Sequence, residues 1–300
     1  MSTIRNLTKL FQTISSNDWS AAEIAATAII NDEEKNRHHS AVQTLKGALH
    51  PNNRNGNAHR PSALTAAPML AAALTLQTSK ERLNDVMLTK ASQNEFLSVI
   101  KEWKNRARLQ SAGIRRRSRL FFHGPPGCGK SMTACALGNE LGLPTYLVRF
   151  DAIIGAYLGQ TAIHLRQLFH FAETSPSVLL IDEVDALAKK RGNPLDVGEL
   201  DRIVIALLQE LEHSHPQGFV IATSNLPTNI DEALWRRFDL NVEFKKPRAI
   251  ELEAYAMRIA KQFKVRVPTA VLRQARKASS YADVRALIEA TVRRVILDLV

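Results

Sequence analysis

The chain has 300 residues, 45% of them hydrophobic, which is enough for two or three compact units with their own cores and too apolar for a disordered chain. Its 40 Lys and Arg outnumber 29 Asp and Glu for a formal net charge of +11, a balance that suits acidic partners, nucleic acid or bound triphosphate without choosing among them. The opening MSTIRNLTKLFQ has no continuous apolar core and the longest apolar run, 63–76, is broken by Thr65 and Pro68, so a signal peptide and a membrane span are not expected and a soluble, cytoplasmic chain is.

From Thr3 to Leu49 the apolar residues recur at helical spacing: Leu7, Leu10 and Phe11, then Trp19, Ala22 and Ile24, then Ala41, Val42 and Leu45. Ser16-Asn17-Asp18 offers a cap to the second of these helices. A small helical region is therefore expected over 1–50. Its His38-His39 pair lacks further ligands at metal spacing and reads as a solvated pair on a helix. The next stretch, HPNNRNGNAHRPS, is rich in Asn, Gly and Pro, and a linker is expected over 51–62.

Beyond it the pattern changes to that of one larger unit, with an α/β part and helical lead-in over 63–246 and an all-helical tail over 247–300. Glu95 to Ala112 reads as a basic amphipathic helix, followed by the charged turn IRRRSR from Ile114 to Arg119. Short apolar runs then alternate with helical stretches: LFFH from Leu120, TYLVRF from Thr145, VLLID from Val178, FVIAT from Phe219 and LNVEF from Leu240. Strands alternating with helices predict an α/β fold, a parallel sheet with helices on both faces. The two cysteines, Cys128 and Cys135, stand seven positions apart on what reads as one helix, too far to bridge along a rigid element, so a reducing compartment is expected.

The chemistry begins at FFHGPPGCGKSMTACALG. Gly124 to Ser131 matches G-x-x-x-x-G-K-[ST], after an apparent strand and opening an apparent helix, the context a phosphate-binding loop requires. Glycines let backbone N–H groups approach phosphate oxygens, and the helix N-terminus adds partial positive charge. Pro126, Gly127, Cys128, Gly129, Lys130, Ser131 and Met132 are thus candidate nucleotide contacts. Lys130 would hold the β and γ phosphates and Ser131 would place its hydroxyl on Mg²⁺. VLLIDE supplies the acidic element such a site needs: Asp182, at a strand end, as the second metal residue, and Glu183 placed to polarise a water. Ser224-Asn225 ends the next strand and belongs at the same sheet edge, where Asn225 can orient that water and sense the γ phosphate.

These residues resemble the AAA+ ATPases, and within them the AAA subgroup of ring-forming protein remodellers. GPPGCGKS is similar to their Walker A motif, VLLIDE to Walker B, IATSN to the segment ending in the sensor-1 Asn, NIDEALWRRFD to the second region of homology, and FKKPRAIE to the entry of the helical lid. The resemblance covers roughly Leu83 to Val300. It implies the P-loop NTPase fold with a helical lid, ATP and Mg²⁺ as cofactors, and a homo-hexamer with nucleotide at each subunit interface. Arg236 and Arg237 stand where the family places interface arginines, here without the usual intervening Pro-Gly, and either fits the finger that reaches a neighbour's γ phosphate. In SSYADVRAL, Arg285 falls where other AAA+ clades place a sensor-2 arginine, and it is a candidate nucleotide contact.

Between the two Walker-like stretches, IIGAYLGQT places Tyr157 and Leu158 between glycines, similar to the pore loop with which AAA unfoldases grip polypeptide. Gln160 replaces the acid common after that loop's glycine. The chain has no H-E-x-x-H and no G-x-S-x-G, so a peptidase would be a separate chain. A small helical region before a single AAA module resembles standalone bacterial AAA proteins often paired with a subtilisin-like serine protease, which implies a protein substrate, a protease partner and a role such as phage defence. The competing expectation is a DNA-associated ATPase that uses IRRRSR and the basic balance on a phosphate backbone.

Overall fold

The computed structural model describes residues 26, 28–29, 68–153, 160–185, 197–226 and 232–298. The chain divides into two compact units, Met1–Arg60 and Pro61–Val300. In the first, Ala26, Ala28 and Ile29 are helical; the other residues of the expected N-terminal helices, His38-His39 among them, and the linker over 51–62 lie outside the described residues.

The second unit opens with α1 (Pro68–Ala73) and β1 (Leu74–Gln77), then a 3₁₀ turn at Leu83–Asp85, α2 (Lys90–Lys104) and α3 (Arg106–Ser111). The α/β alternation follows: β2 (Arg119–His123), α4 (Lys130–Leu141), β3 (Thr145–Val148), α5 (Phe150–Ile153), α6 (Gln160–Thr174), β4 (Val178–Ile181), α7 (Val197–His213), β5 (Phe219–Ser224), α8 (Glu232–Trp235) and β6 (Leu240–Glu243). The tail forms α9 (Ala249–Gln262), α10 (Thr269–Arg276) and α11 (Tyr281–Asp298).

All five expected strands form. They join β1 in a 6-stranded sheet of order β1-β3-β4-β5-β2-β6. Every pairing is parallel except that of β1 with β3, which is antiparallel in the register Leu74↔Val148. This edge strand was not expected. Its four residues, LTLQ, continue an apolar run out of α1, and only β3, some seventy positions along the chain, turns that run into a strand.

Side-chain alternation along the strands separates two cores. Phe121, Leu179, Ile181, Val220 and Ala222 face Leu165, Leu168 and Phe169 of α6 and Leu207 and Leu211 of α7. Leu120, Phe122, Leu180, Phe219 and Ile221 face Phe96 and Val99 of α2 and Ala134 and Leu137 of α4. Helices therefore cover both faces, and β4 and β5 are buried over their whole length, as strands of a covered parallel sheet are. The tail has a third core, with Leu252, Tyr255 and Ile259 of α9 against Val284 and Ile288 of α11.

Two local expectations change. The basic helix expected from Glu95 to Ala112 is two helices, because Asn105 takes φ −105° and ψ 21° and donates its Nδ2 to Lys101 O at 2.8 Å, ending α2. Cys128 precedes α4 instead of sharing it with Cys135; both thiols are free and buried.

The run IRRRSR also has a structural task. The Arg116 guanidinium lies 4.8 Å from the Trp103 ring and 5.0 Å from the Phe219 ring and donates to the carbonyls of Pro216, Gln217 and Gly218 at 2.8, 2.6 and 2.9 Å. Burial drives its pKa down to about 10. Arg117 pairs with Glu102 and Glu95 of α2 at 2.6 and 2.9 Å, and Arg119 pairs with Asp239 at 2.9 Å and donates to Leu211 O at 2.6 Å. Three of these arginines thus fasten the start of β2 to its neighbours; Arg115 is the exposed one.

Candidate nucleotide-binding site

The parallel order β4-β5-β2 brings three strand ends side by side, with His123 opposite Ser224 and Ile181 opposite Ala222. The next residues along the chain, Gly124, Asp182-Glu183 and Asn225, therefore meet at the carboxyl edge of the sheet, where open α/β sheets bind ligands. The loop leaving β2 depends on glycine at two positions in particular. Gly124 has φ +138°, and a Cβ there would lie 2.0 Å from Phe244 O. Gly127 has φ +70°, and its Cβ would fall 2.5 Å from Ser280 Oγ at the start of α11. The Ala282 amide donates to Gly127 O at 3.2 Å, so the helical tail sits directly on the loop.

Lys130 is 6% exposed. Its Nζ donates to Gly124 O at 2.8 Å, Pro125 O at 2.9 Å and Asn225 Oδ1 at 2.7 Å, which uses all the protons an ammonium has. Burial pushes its pKa below the ordinary lysine value, against the pull of Cys128 and of the Asp182, Asp185 and Glu183 carboxylates. Asn225 extends the chain of contacts, since its Nδ2 donates to Glu183 Oε1 at 3.2 Å and its backbone N–H to Asp185 Oδ1 at 3.1 Å. The Lys130 ammonium and the Glu183 carboxylate thus share one amide.

On the other side of the loop, Ser131 Oγ donates to Asp182 Oδ2 at 2.8 Å. A hydroxyl and one carboxylate beside a glycine-rich loop is a donor set that suits Mg²⁺, since that ion keeps several waters and completes its shell with substrate phosphates. The residues present fit the metal. Among the described residues, no group of three or more His, Cys, Asp and Glu side chains gathers to hold a metal by itself.

Glu183 has φ +55°, a left-handed conformation that costs a non-glycine residue roughly 1–3 kcal/mol. Val178, Leu179, Leu180 and Ile181 just before it are at most 2% exposed, and each such burial contributes about 1.5–3 kcal/mol. The anchoring of β4 therefore outweighs the strain, and the carboxylate is held toward Asn225.

A cavity of about 310 Å³ gathers every residue from Pro126 to Met132 together with Asp182, Glu183, Asn225 and Arg285. The apolar and aromatic part of its lining is formed by Val86, Met87, Tyr255, Tyr281 and Ala282. The two tyrosine rings meet edge to face at 5.1 Å, and burial pushes the Tyr281 phenol up to about 12. Arg285 lines the cavity while paired with Glu289 at 3.0 Å and Glu81 at 3.6 Å; the Glu289 bond holds its pKa above the usual arginine value. Tyr255 and Tyr281 on the tail helices, Asp185, and the Thr223 hydroxyl inside β5 carry no local signal in the sequence that marks them as neighbours of this site.

Arg236 and Arg237 do not line this cavity. Trp235 packs edge-on to Phe121 at 4.8 Å and Phe238 stacks on it at 5.1 Å, so the aromatic residues that flank the two arginines are the ones packed against the sheet. Arg237 is half-buried and pairs with Glu212 of α7 at 2.8 Å, whereas Arg236 is exposed. Tyr157 and Leu158 lie outside the described residues.

A sequence profile described as "ATPase family associated with various cellular activities (AAA)" matches residues 120–246. The chain is similar to an uncharacterized AAA family ATPase, y4kL, of Sinorhizobium fredii, at 33% identity over 91% of this chain and 84% of that protein. It is also similar to the peroxisomal ATPase PEX6 of Candida glabrata, at 37% identity over 52% of this chain and 16% of PEX6. A putative 26S proteasome regulatory subunit homolog of Methanothermobacter thermautotrophicus matches at 38% identity over 45% of this chain and 38% of its own length. The FIGL-1 AAA domain, solved in complex with ADP, superposes with a TM-score of 0.59 at 18% identity, covering 81% of this chain and 82% of that one.

Proposed function

The chain belongs to the AAA family of ATPases, and from that premise we propose that it is a Mg²⁺-dependent ATPase, a homo-hexamer that remodels or unfolds protein substrates through a central pore. The observation that carries the proposal is the meeting of Lys130, Ser131, Asp182, Glu183 and Asn225 around one cavity, with the Lys130–Asn225–Glu183 contacts joining the phosphate-binding end to the carboxylate that acts on water.

In this reading the loop amides and Lys130 hold the β and γ phosphates. Ser131 and Asp182 hold Mg²⁺, which supplies charge neutralisation at the phosphate oxygens when bound. Glu183 takes a proton from the attacking water while Asn225 keeps that water in line with the γ phosphorus. The apolar lining with Tyr255 and Tyr281 receives the base, and Arg285 of the same cavity is the candidate contact to the phosphates. An arginine from the neighbouring subunit offsets the charge that develops in the transition state.

Removing the Lys130 charge has a defined consequence. A charge-assisted hydrogen bond contributes about 1.5–3 kcal/mol, so Lys130→Ala is expected to weaken ATP binding by about tenfold to a hundredfold. Titration with a fluorescent ATP analogue checks this. An affinity near that of the parent protein would contradict the phosphate-site assignment.

The remodelling part rests on the Tyr157-Leu158 pair between glycines and on relatives named as a peroxisomal ATPase and a proteasome regulatory subunit homolog. An exposed aromatic can grip any extended chain with little regard for its sequence. A separate partner such as a subtilisin-like protease would then receive the unfolded product, in phage defence or a similar task. The DNA-associated reading loses its main support, because Arg116, Arg117 and Arg119 are engaged within the fold. Among the described residues no helix is long and apolar enough to cross a membrane, and a cytoplasmic setting belongs to the same proposal.

The test is the ATPase rate of the purified protein with and without an unfolded polypeptide, beside Tyr157→Ala and a duplex-DNA control. Stimulation by polypeptide that Tyr157→Ala abolishes is the expected outcome. Stimulation by DNA that is indifferent to Tyr157 would move the protein to the nucleic-acid class.

A further inference from the structure

Thr223 lies inside β5, where all six residues are buried, and is itself 0% exposed. Packing alone would suit valine there, which has nearly the same shape without a hydroxyl to desolvate. The hydroxyl is nevertheless present, and both of its hydrogen-bonding functions are directed at the nucleotide site. Thr223 Oγ1 donates to Asp182 Oδ1 and accepts the backbone N–H of Glu183 at 3.2 Å. The Thr223 carbonyl takes the next amide, Val184 N–H, at 3.0 Å. Two successive amides of the turn after β4 therefore end on one residue of β5.

We infer that Thr223 is a positioning residue that sets the metal-side carboxylate and the water-side carboxylate together through a single buried hydroxyl. Asp182 has two oxygens to satisfy. Ser131 Oγ holds Oδ2 at 2.8 Å and Thr223 holds Oδ1, so the rotation of the carboxylate is fixed and Oδ2 stays beside the loop. A second consequence falls on Glu183, whose φ of +55° is a conformation that persists only where the surroundings over-determine it. The bond from its amide to Thr223 is one such constraint, and Asn225 Nδ2 at 3.2 Å is another. Loss of the hydroxyl would free Asp182 to rotate and remove the acceptor from Glu183 N–H, so both ends of the site should loosen at once.

The inference rests on the reading of Asp182 and Ser131 as the Mg²⁺ pair, and its test separates the two. Groups that hold a metal ligand in place typically change metal affinity or activity by about 10–100-fold when replaced. In Thr223→Val and Thr223→Ala, the Mg²⁺ concentration that half-saturates binding of a fluorescent, non-hydrolysable ATP analogue is expected to rise by about tenfold, with a parallel fall in turnover. Thr223→Ser keeps the hydroxyl and is expected to bind within about twofold of the parent protein.

A purely structural hydroxyl would lower thermal stability without moving the Mg²⁺ midpoint. An unshifted midpoint in whichever of the valine and alanine variants folds would overturn the inference, as would a serine variant displaced as far as valine. If the parent protein binds the analogue with no dependence on Mg²⁺, the metal assignment itself fails, and that outcome is visible before any Thr223 variant is made.

Discussion

Glu183→Gln is expected to leave nucleotide binding intact and to lower ATP turnover by about 10²–10⁴-fold, the range in which positioned general bases contribute. The two side chains have the same shape, and glutamine Oε1 can still accept from Asn225 Nδ2, which meets Glu183 Oε1 at 3.2 Å. The strained turn at Glu183 is held by the buried strand before it and by its amide bond to Thr223, neither of which involves the carboxylate. Lys130, Ser131 and the loop amides are likewise untouched. Binding and turnover should therefore come apart cleanly. Steady-state phosphate release measured beside the affinity for a fluorescent ATP analogue checks the point. Hydrolysis at the parent rate would remove Glu183 from the water-activating role and leave the strained turn without a chemical purpose.

The second large effect is expected at the arginine pair, and only between subunits. Neither Arg236 nor Arg237 lines its own cavity, so Arg236→Ala should bind ATP as the parent protein does in isolated subunits. A finger supplied in trans is worth about 10³–10⁵ in turnover, and the assembled variant should fall by about 10³-fold or more. Mixing provides the decisive arm. Arg236→Ala subunits retain Glu183, and Glu183→Gln subunits retain Arg236, so two inactive proteins should regain turnover when combined. Arg236 is exposed and Arg237 half-buried, so the substitution is made first at Arg236, and either arginine fits the finger. An active Arg236→Ala protein with complementation by Arg237→Ala instead would transfer the role to its neighbour. A mixture that stays inactive with both would rule out action in trans.

Most of the sheet was legible in the sequence. The runs LFFH, TYLV, VLLI, FVIATS and LNVE all form strands, because a strand covered on both faces is written as a short continuous apolar segment. Boundaries were less so. TYLVRF ends as a strand at Val148, with Phe150 already starting α5, since an apolar residue after a strand reads the same whether the chain continues or turns. The glycine turn that opens α4 was legible too, and its residues from Pro126 to Met132 line one cavity, because positive-φ glycines and a helix start are features a local stretch can encode.

What the sequence determined by itself is the set of local decisions: five strands, a glycine loop opening a helix, and acidic and amide residues at strand ends. The tertiary structure decided everything that depends on which strand lies beside which. Only the order β4-β5-β2 puts Asp182, Glu183 and Asn225 around Lys130 and brings the Thr223 hydroxyl to the Asp182 carboxylate and the Glu183 amide, and only pairing with β3 turns LTLQ into an antiparallel edge strand. The same long-range packing takes Arg116, Arg117 and Arg119 out of a basic patch and into the carbonyls of 216–218 and the carboxylates of Glu102 and Asp239. A charge run carries its composition in the sequence. Its partners lie as far as 120 positions away, and only folding brings them within a hydrogen bond's reach.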